Sequence, residues 1–146
     1  MRQANAPDRV DSMALPRLSL RILFATMGIF RTTVGVASLT DRALVQYLHG
    51  VSVDTGAELT WVPAPVLESI GVKREKARRF KLSNGALVRR DIGFAFVHAG
   101  GVVTVDEVVF AEGSDATLLG ARSIEGLNLR IDVAHKQFVN AMPGQP

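Results

Sequence analysis

The sequence predicts an all-β protein, a small closed β barrel carrying one or two short helices. Three observations predict it. Short apolar runs alternate with polar positions at the period of two that a half-buried strand requires. Turn signals interrupt those runs at short intervals: Asn84-Gly85, Gly100-Gly101 and Gly113-Ser114-Asp115. Only two stretches, 64–70 and 121–127, carry a helical pattern, and both are too short to build a layer of their own.

Residues 1–26 read as an N-terminal extension, expected to be poorly ordered, because Pro7, Asp8, Asp11 and Pro16 break any early pattern. The folded domain is placed at 27–143 and a tail at 144–146; Met1, Met13 and Met27 stay open as the start. In "MGIFRTTVGVAS", Phe30, Thr32, Val34 and Val36 alternate as a first strand. Asp41 is a turn residue, and 42–53 read as a second strand ending at the acid Asp54. A short strand over 59–62 leads to Pro63 and Pro65, which suit a first helical turn. Val66, Leu67 and Ile70 form an apolar stripe closed by Gly71, so a helix is expected over 64–70.

The β pattern resumes at Arg78, where Phe80 and Leu82 alternate. Asn84-Gly85 marks a two-residue hairpin turn, with 86–98 as the return strand. Gly100-Gly101 turns the chain into a strand over 102–112. After Gly113-Ser114-Asp115, residues 117–120 form a short buried strand closed by Gly120, and 121–127 form one or two helical turns. "LNLRIDV" and "QFVNAM" finish as two strands around 134–136. Strand, glycine and helix thus occur twice, after Asp54 and after Leu118, a weak internal echo.

The totals exclude several function classes. At 146 residues, 47% hydrophobic and 21% charged, the chain reads as one globular domain. It has no cysteine, so disulfides, zinc-thiolate sites and cysteine nucleophiles are out, and a reducing, cytoplasmic compartment fits. The apolar run Leu18 to Phe30 is interrupted by Arg21 and falls short of the roughly 18 residues of a membrane span. A signal peptide within 1–37 is the other reading of that run, though cleavage after Ala37 would remove a strand. A net charge of +3 is too small to indicate nucleic-acid binding. The run "KREKARRFK" at 73–81 holds six cations and one acid with no aromatic stacking platform interleaved, and reads as a solvated approach to a strand. His49, His98 and His135 lack metal-ligand spacing, and no phosphate loop, dinucleotide glycine pattern or Gly-x-Ser-x-Gly is present, so neither metal nor cofactor is expected.

One stretch demands chemistry. In "VSVDTGA", residues 51–57, an apolar strand runs into a carboxylate, a small hydroxyl and a glycine. A charge at the buried end of a strand is costly, so Asp54 is either a local cap or a reactive group. "VDTGAELTWVP" followed, beyond a hairpin, by "LLGARSIEGLNLRIDV" resembles the retroviral-type, retropepsin-like aspartic proteases, and most of all their bacterial and cellular single-lobed branch. The resemblance covers about 27–143. Asp-Thr-Gly alone is a weak signal; the apolar run before it, Ala57 after it, the hairpin and the later apolar-apolar-Gly make the combination specific.

The resemblance implies a closed barrel of the retropepsin-like acid protease type and an aspartic endopeptidase acting on an extended peptide or protein. Peptide hydrolysis by carboxylates needs two acids about a hydrogen bond apart, sharing one proton, with a water between them. One acid takes a proton from the water and the other gives one to the scissile carbonyl. This chain supplies one such acid. Asp91-Ile92-Gly93 is the other Asp-x-Gly, but it lacks the hydroxyl residue and follows Arg89-Arg90; the echo "TLLG" has no acid. The dyad therefore requires a homodimer with Asp54 from each subunit.

By the same resemblance, Thr55, Gly56 and Ala57 support the active-site loop, the Thr55 hydroxyl bonding across to the facing loop and Gly56 letting its amide approach the carboxylate. Ser83, Asn84 and Gly85 would form a flap over the substrate. Leu118 and Leu119 would line the substrate groove, with Gly120 giving clearance. The viral pattern pairs an acid after Asp-Thr-Gly-Ala with an arginine directly after apolar-apolar-Gly. Here Glu58 fills the first place but Ala121 the second, with Arg122 one residue on, so a Glu58–Arg122 pair stays open. Trp61 either packs under the loop or shapes a side-chain pocket. The rival function is a non-catalytic dimeric peptide-binding module on the same fold.

Overall fold

The computed structural model describes residues 30–141. The expected extension 1–26, the 144–146 tail and the two ends of the 27–143 domain lie outside the described residues. Within them, nine strands and two short helices follow one another: β1 (Arg31–Ser38), β2 (Asp41–Asp54), β3 (Thr60–Pro63), α1 (Ala64–Ser69), β4 (Lys76–Lys81), β5 (Leu87–Ala99), β6 (Val102–Ala111), β7 (Leu118–Gly120), α2 (Ala121–Gly126), β8 (Leu129–Asp132) and β9 (Gln137–Asn140). The described residues are mostly β sheet with two short helices, as their alternation and turn residues require. No helix among the described residues is long and apolar enough to cross a membrane.

Seven strands form one sheet in the order β1-β2-β7-β3-β6-β5-β4, and β1 pairs in addition with β5. Followed from β1 through β2, β7, β3, β6 and β5, the pairings return to β1; β4 is the strand left at the end. Two ladders are parallel: β2 with β7, which sets Asp54 beside Gly120, and β3 with β6. The others are antiparallel, and β8 with β9 forms a separate hairpin.

The strands at the centre are apolar on both faces because both faces are covered. Val62, Val108, Phe110 and Leu119 point into the main core with Val34, Val36 and Leu67. Their neighbours one residue along, Trp61, Val109 and Leu118, point to the opposite face and join Leu59, Ile92 and Ala111 in a second cluster. The β4–β5 hairpin closes over that second cluster. Phe80, Leu82 and Val88 pack on it, and the Phe80 ring meets Trp61 edge-on at 5.0 Å. Trp61 therefore packs under the hairpin and the loop, since Ala57 touches the same cluster.

The hairpin turn differs from the two-residue turn that Asn84-Gly85 suggests. The amide of Gly85 donates to Leu82 O and the amide of Leu82 to Ala86 O, so Ser83, Asn84 and Gly85 form a three-residue loop. Gly85 alone of the three takes a positive φ, +88°. A two-residue type I′ turn needs positive φ at both central residues. Asn84 instead accepts the Ala86 amide on its side-chain oxygen at 2.9 Å, holding the loop in its three-residue form.

Candidate functional site

Asp54 is the last residue of β2 and is half-buried. The Gly56 amide donates to its Oδ1 at 2.8 Å. A Cβ at Gly56 would stand only 3.1 Å from that oxygen, so glycine allows the close approach. Thr55 and Gly56 are exposed at the tip of the loop, and among the described residues the Thr55 hydroxyl has no hydrogen-bond partner.

The loop is clamped from the β7–α2 junction. A helix start leaves its first amides without partners inside the helix. Here the Ala121 amide donates to Ala57 O at 2.8 Å and the Arg122 amide to Glu58 O at 3.0 Å. The Gly120 amide donates to Thr60 Oγ1 at 3.0 Å. Three consecutive amides thus grip the segment that follows Asp54. The approach is close enough that a Cβ on Gly120 would collide with the Leu59 carbonyl. Gly120 gives clearance to the loop's own backbone.

Behind this grip runs a buried polar chain. Ser123 Oγ donates to Asp106 Oδ2 at 2.9 Å. Having one proton, Ser123 must accept from Thr60, whose hydroxyl lies 2.7 Å away. Thr60 in turn accepts from Gly120. Asp106 also takes the Glu107 amide at 2.7 Å and lies 3.6 Å from Arg122 Nη2. Sequence reading did not single out Thr60, Asp106 or Ser123. For Thr60 and Asp106 the signal was a polar residue inside a largely apolar run, "LTWV" and "VTVDEVVF"; Ser123, in "RSIEG", carried no such signal.

Around the loop the charges are matched. Glu58 lies 3.0 Å from Arg78 Nη2 on the hairpin and 3.9 Å from Arg122 Nη1 on α2. The open Glu58–Arg122 question is answered: the two meet, with Arg78 the closer cation. Arg90 is bidentate to Asp115, at 2.6 and 3.0 Å, and that carboxylate raises the guanidinium's pKa above its ordinary value. Arg74 gathers Glu68, Asp91 and Glu112, and its pKa is raised first by Glu68 and then by Asp91. Asp91 is thereby a structural ion-pair partner. Gly93 beside it is required by packing, since a Cβ there would strike the Lys73 carbonyl.

No protein-family model matches this chain, and no curated protein matches it.

Two expected groove residues are placed elsewhere. Leu118 and Leu119 are 2% and 0% exposed, one in each core cluster, and their side chains anchor β7 instead of facing a groove. The groove role came from the resemblance; their apolar character is that of the short buried strand expected over 117–120, covered on both faces. Ser83, Asn84 and Gly85 are exposed at the hairpin tip, while the arms below them are pinned by Phe80 and Val88. His49 is exposed, its Nδ1 3.0 Å from the Thr33 hydroxyl, and His135 lies 2.7 Å from Asp132. Among the described residues no group of three or more His, Asp or Glu side chains is placed to hold a metal ion.

Proposed function

We propose that the chain is one subunit of a homodimeric aspartic endopeptidase, folded as a closed barrel of the retropepsin-like type, with Asp54 of each copy forming the dyad. The observation that supports this best is the Asp54 loop itself. Its base is gripped by the Gly120, Ala121 and Arg122 amides, while the half-buried Asp54 carboxylate is followed by an exposed Thr55 whose hydroxyl has no partner among the described residues. A turn aspartate that served only its own loop would not need such bracing. The ring of pairings through β1 and β5 supports the barrel reading, and the parallel register sets Asp54 beside Gly120 at the C-terminal ends of β2 and β7.

In the dimer the two carboxylates share one proton, since like charges at hydrogen-bond distance do not both ionise. The ionised acid removes a proton from the water between them as the water oxygen bonds to the scissile carbonyl carbon. The protonated acid gives its proton to the carbonyl oxygen. Collapse of the resulting gem-diol breaks the C–N bond, with a proton passing to the leaving nitrogen. The Gly56 amide on Asp54 Oδ1 orients the carboxylate, and the Thr55 hydroxyl is available to the opposite copy's loop. The exposed tip at 83–85 covers an extended peptide laid across the two acids.

Asp54→Asn tests this. It preserves size and the Gly56 hydrogen bond but removes the titrating group. The expected result is loss of cleavage of a peptide library to background, with the light-scattering mass still that of a dimer. Cleavage that persists in Asp54→Asn refutes the catalytic assignment. A dimer that binds extended peptides, wild type included, without cutting them selects the binding-module reading.

A further inference from the structure

We propose that the solvent face of the β4–β5 hairpin docks an acidic, extended peptide segment with Glu or Asp at alternate positions. The ladder sets Arg79 directly opposite Arg89 and Lys81 opposite Leu87. Directly opposed residues share a face, as do residues two apart on one strand. Arg79, Lys81, Leu87 and Arg89 therefore form one patch, on the face away from Phe80 and Val88, which turn toward Trp61. All four are exposed, Leu87 by 65%.

The patch differs from the cations around it. Arg78 has Glu58, Arg90 has Asp115, Lys76 has Glu107 and Arg74 has Asp91. Among the described residues, Arg79, Lys81 and Arg89 have no acidic partner. Like charges held directly opposite destabilise a ladder. The acid next on this face, Asp91, two residues from Arg89, is held by Arg74 at 2.8 Å, so two opposed guanidiniums with a neighbouring ammonium form a surface that an external anion stabilises.

The geometry selects a peptide over a nucleic acid. Among the described residues β4 is the last strand of its sheet, so its outer backbone edge offers hydrogen bonds to an added strand. Same-face residues on a strand repeat every ~6.7 Å, so Arg79 and Lys81 match acids two positions apart on that strand. Leu87 supplies an apolar contact within the patch. The patch carries no aromatic ring to stack a base, because Phe80 lies on the other face. The docked segment lies along the arms of the hairpin whose tip is 83–85, and its binding does not require Asp54.

Fluorescence anisotropy of the full chain carrying Asp54→Asn tests this whether or not the protein cleaves peptides. The probes are labelled ten-residue peptides of alternating Glu-Thr and alternating Lys-Thr, and a single-stranded DNA decamer. Saturable binding of the Glu-Thr peptide is expected, at least ~10-fold weaker for Arg79→Glu and for Arg89→Glu, with no binding of the Lys-Thr peptide. Arg79→Glu places a carboxylate opposite Arg89, so its melting temperature is expected at or above that of the parent, which separates lost docking from lost folding. If the melting temperature falls, the neutral Arg89→Gln is read in its place. The proposal is overturned by absent binding of the Glu-Thr peptide or by affinity that these substitutions leave unchanged. Tighter binding of the DNA decamer also overturns it and assigns the face to nucleic acid.

Discussion

Replacing Thr60 by valine removes a single hydroxyl while keeping the side chain's shape. Thr60 is 1% exposed, and its oxygen takes the Gly120 amide and lies in hydrogen-bond contact with Ser123. Valine leaves the buried Gly120 amide with no acceptor, which costs about 1–3 kcal/mol, and removes the Thr60–Ser123 bond, worth about 0.5–1.5 kcal/mol. The sum is about 1.5–4.5 kcal/mol. Thr60→Ser keeps both hydrogen bonds and loses one methyl, about 1 kcal/mol. The expected order is therefore wild type, then serine, then valine. A site governed by hydrophobic burial alone would put valine first. Urea unfolding at fixed protein concentration, followed by the fluorescence of the single tryptophan, Trp61, measures the difference. A valine variant as stable as the serine variant, or more so, refutes the directional chain from Gly120 to Asp106. In Thr60→Val the grip on the Asp54 loop is loosened as well, so any peptidase activity is expected to fall further than global unfolding explains.

Asp115 accepts Arg90 twice and the Glu112 amide at 2.8 Å with a side chain only 5% exposed, so Asp115→Ala is expected to cost about 3–5 kcal/mol in urea unfolding; a loss below 1 kcal/mol contradicts it. Trp61 is 5% exposed beneath Phe80, so Phe80→Ala is expected to raise acrylamide quenching of its emission while the fold is retained, and unchanged quenching refutes the covering role of the hairpin. Asp132 is held below its ordinary value of 3.8, first by the hydrogen bond with the His135 ring. Because the folded value is the lower one, this contact contributes above pH 3.8 and is lost as pH falls through the folded value. An NMR titration of Asp132 is expected to show a midpoint below 3.8 that rises toward it in His135→Ala.

Local features of this fold were legible in the sequence, and non-local ones were not. The alternation in "RTTVGVAS" and the glycine pair 100–101 located strands and turns to within about two residues, because pleat period and turn conformation are properties of neighbours in the chain. Pro65 and Gly71 bounded α1 for the same reason; Gly71 takes φ +83° just past its end. What failed depended on partners far along the chain. The strand over 117–120 was read as buried, but nothing local says that β7 lies between β2 and β3, so the groove role that the resemblance implied for Leu118 and Leu119 could not be weighed against their place in the two core clusters. Thr60, Asp106 and Ser123 come together only through the β3–β6 and β3–β7 pairings, so no spacing rule joins them. Asn84-Gly85 was read as a two-residue turn from the dipeptide, while the Ala86 amide on the Asn84 side chain decided the longer loop. Asp54 itself stood out because an acid ending an apolar strand is locally anomalous; the amides that brace its loop come from residues 120–122.

The β1–β5 ladder joins Gly35 to His98 and Ser38 to Ala95, so the first strand acquires its second neighbour only after most of the chain exists. During synthesis at about 5–20 residues per second, β1 waits for several seconds with one backbone edge paired only by water. Such distant pairings belong to the slowly folding class, in milliseconds to seconds once the chain is whole. The ribosome-bound fragment is thus the stage most exposed to strand exchange with other chains, and the arrival of β5 ends that exposure.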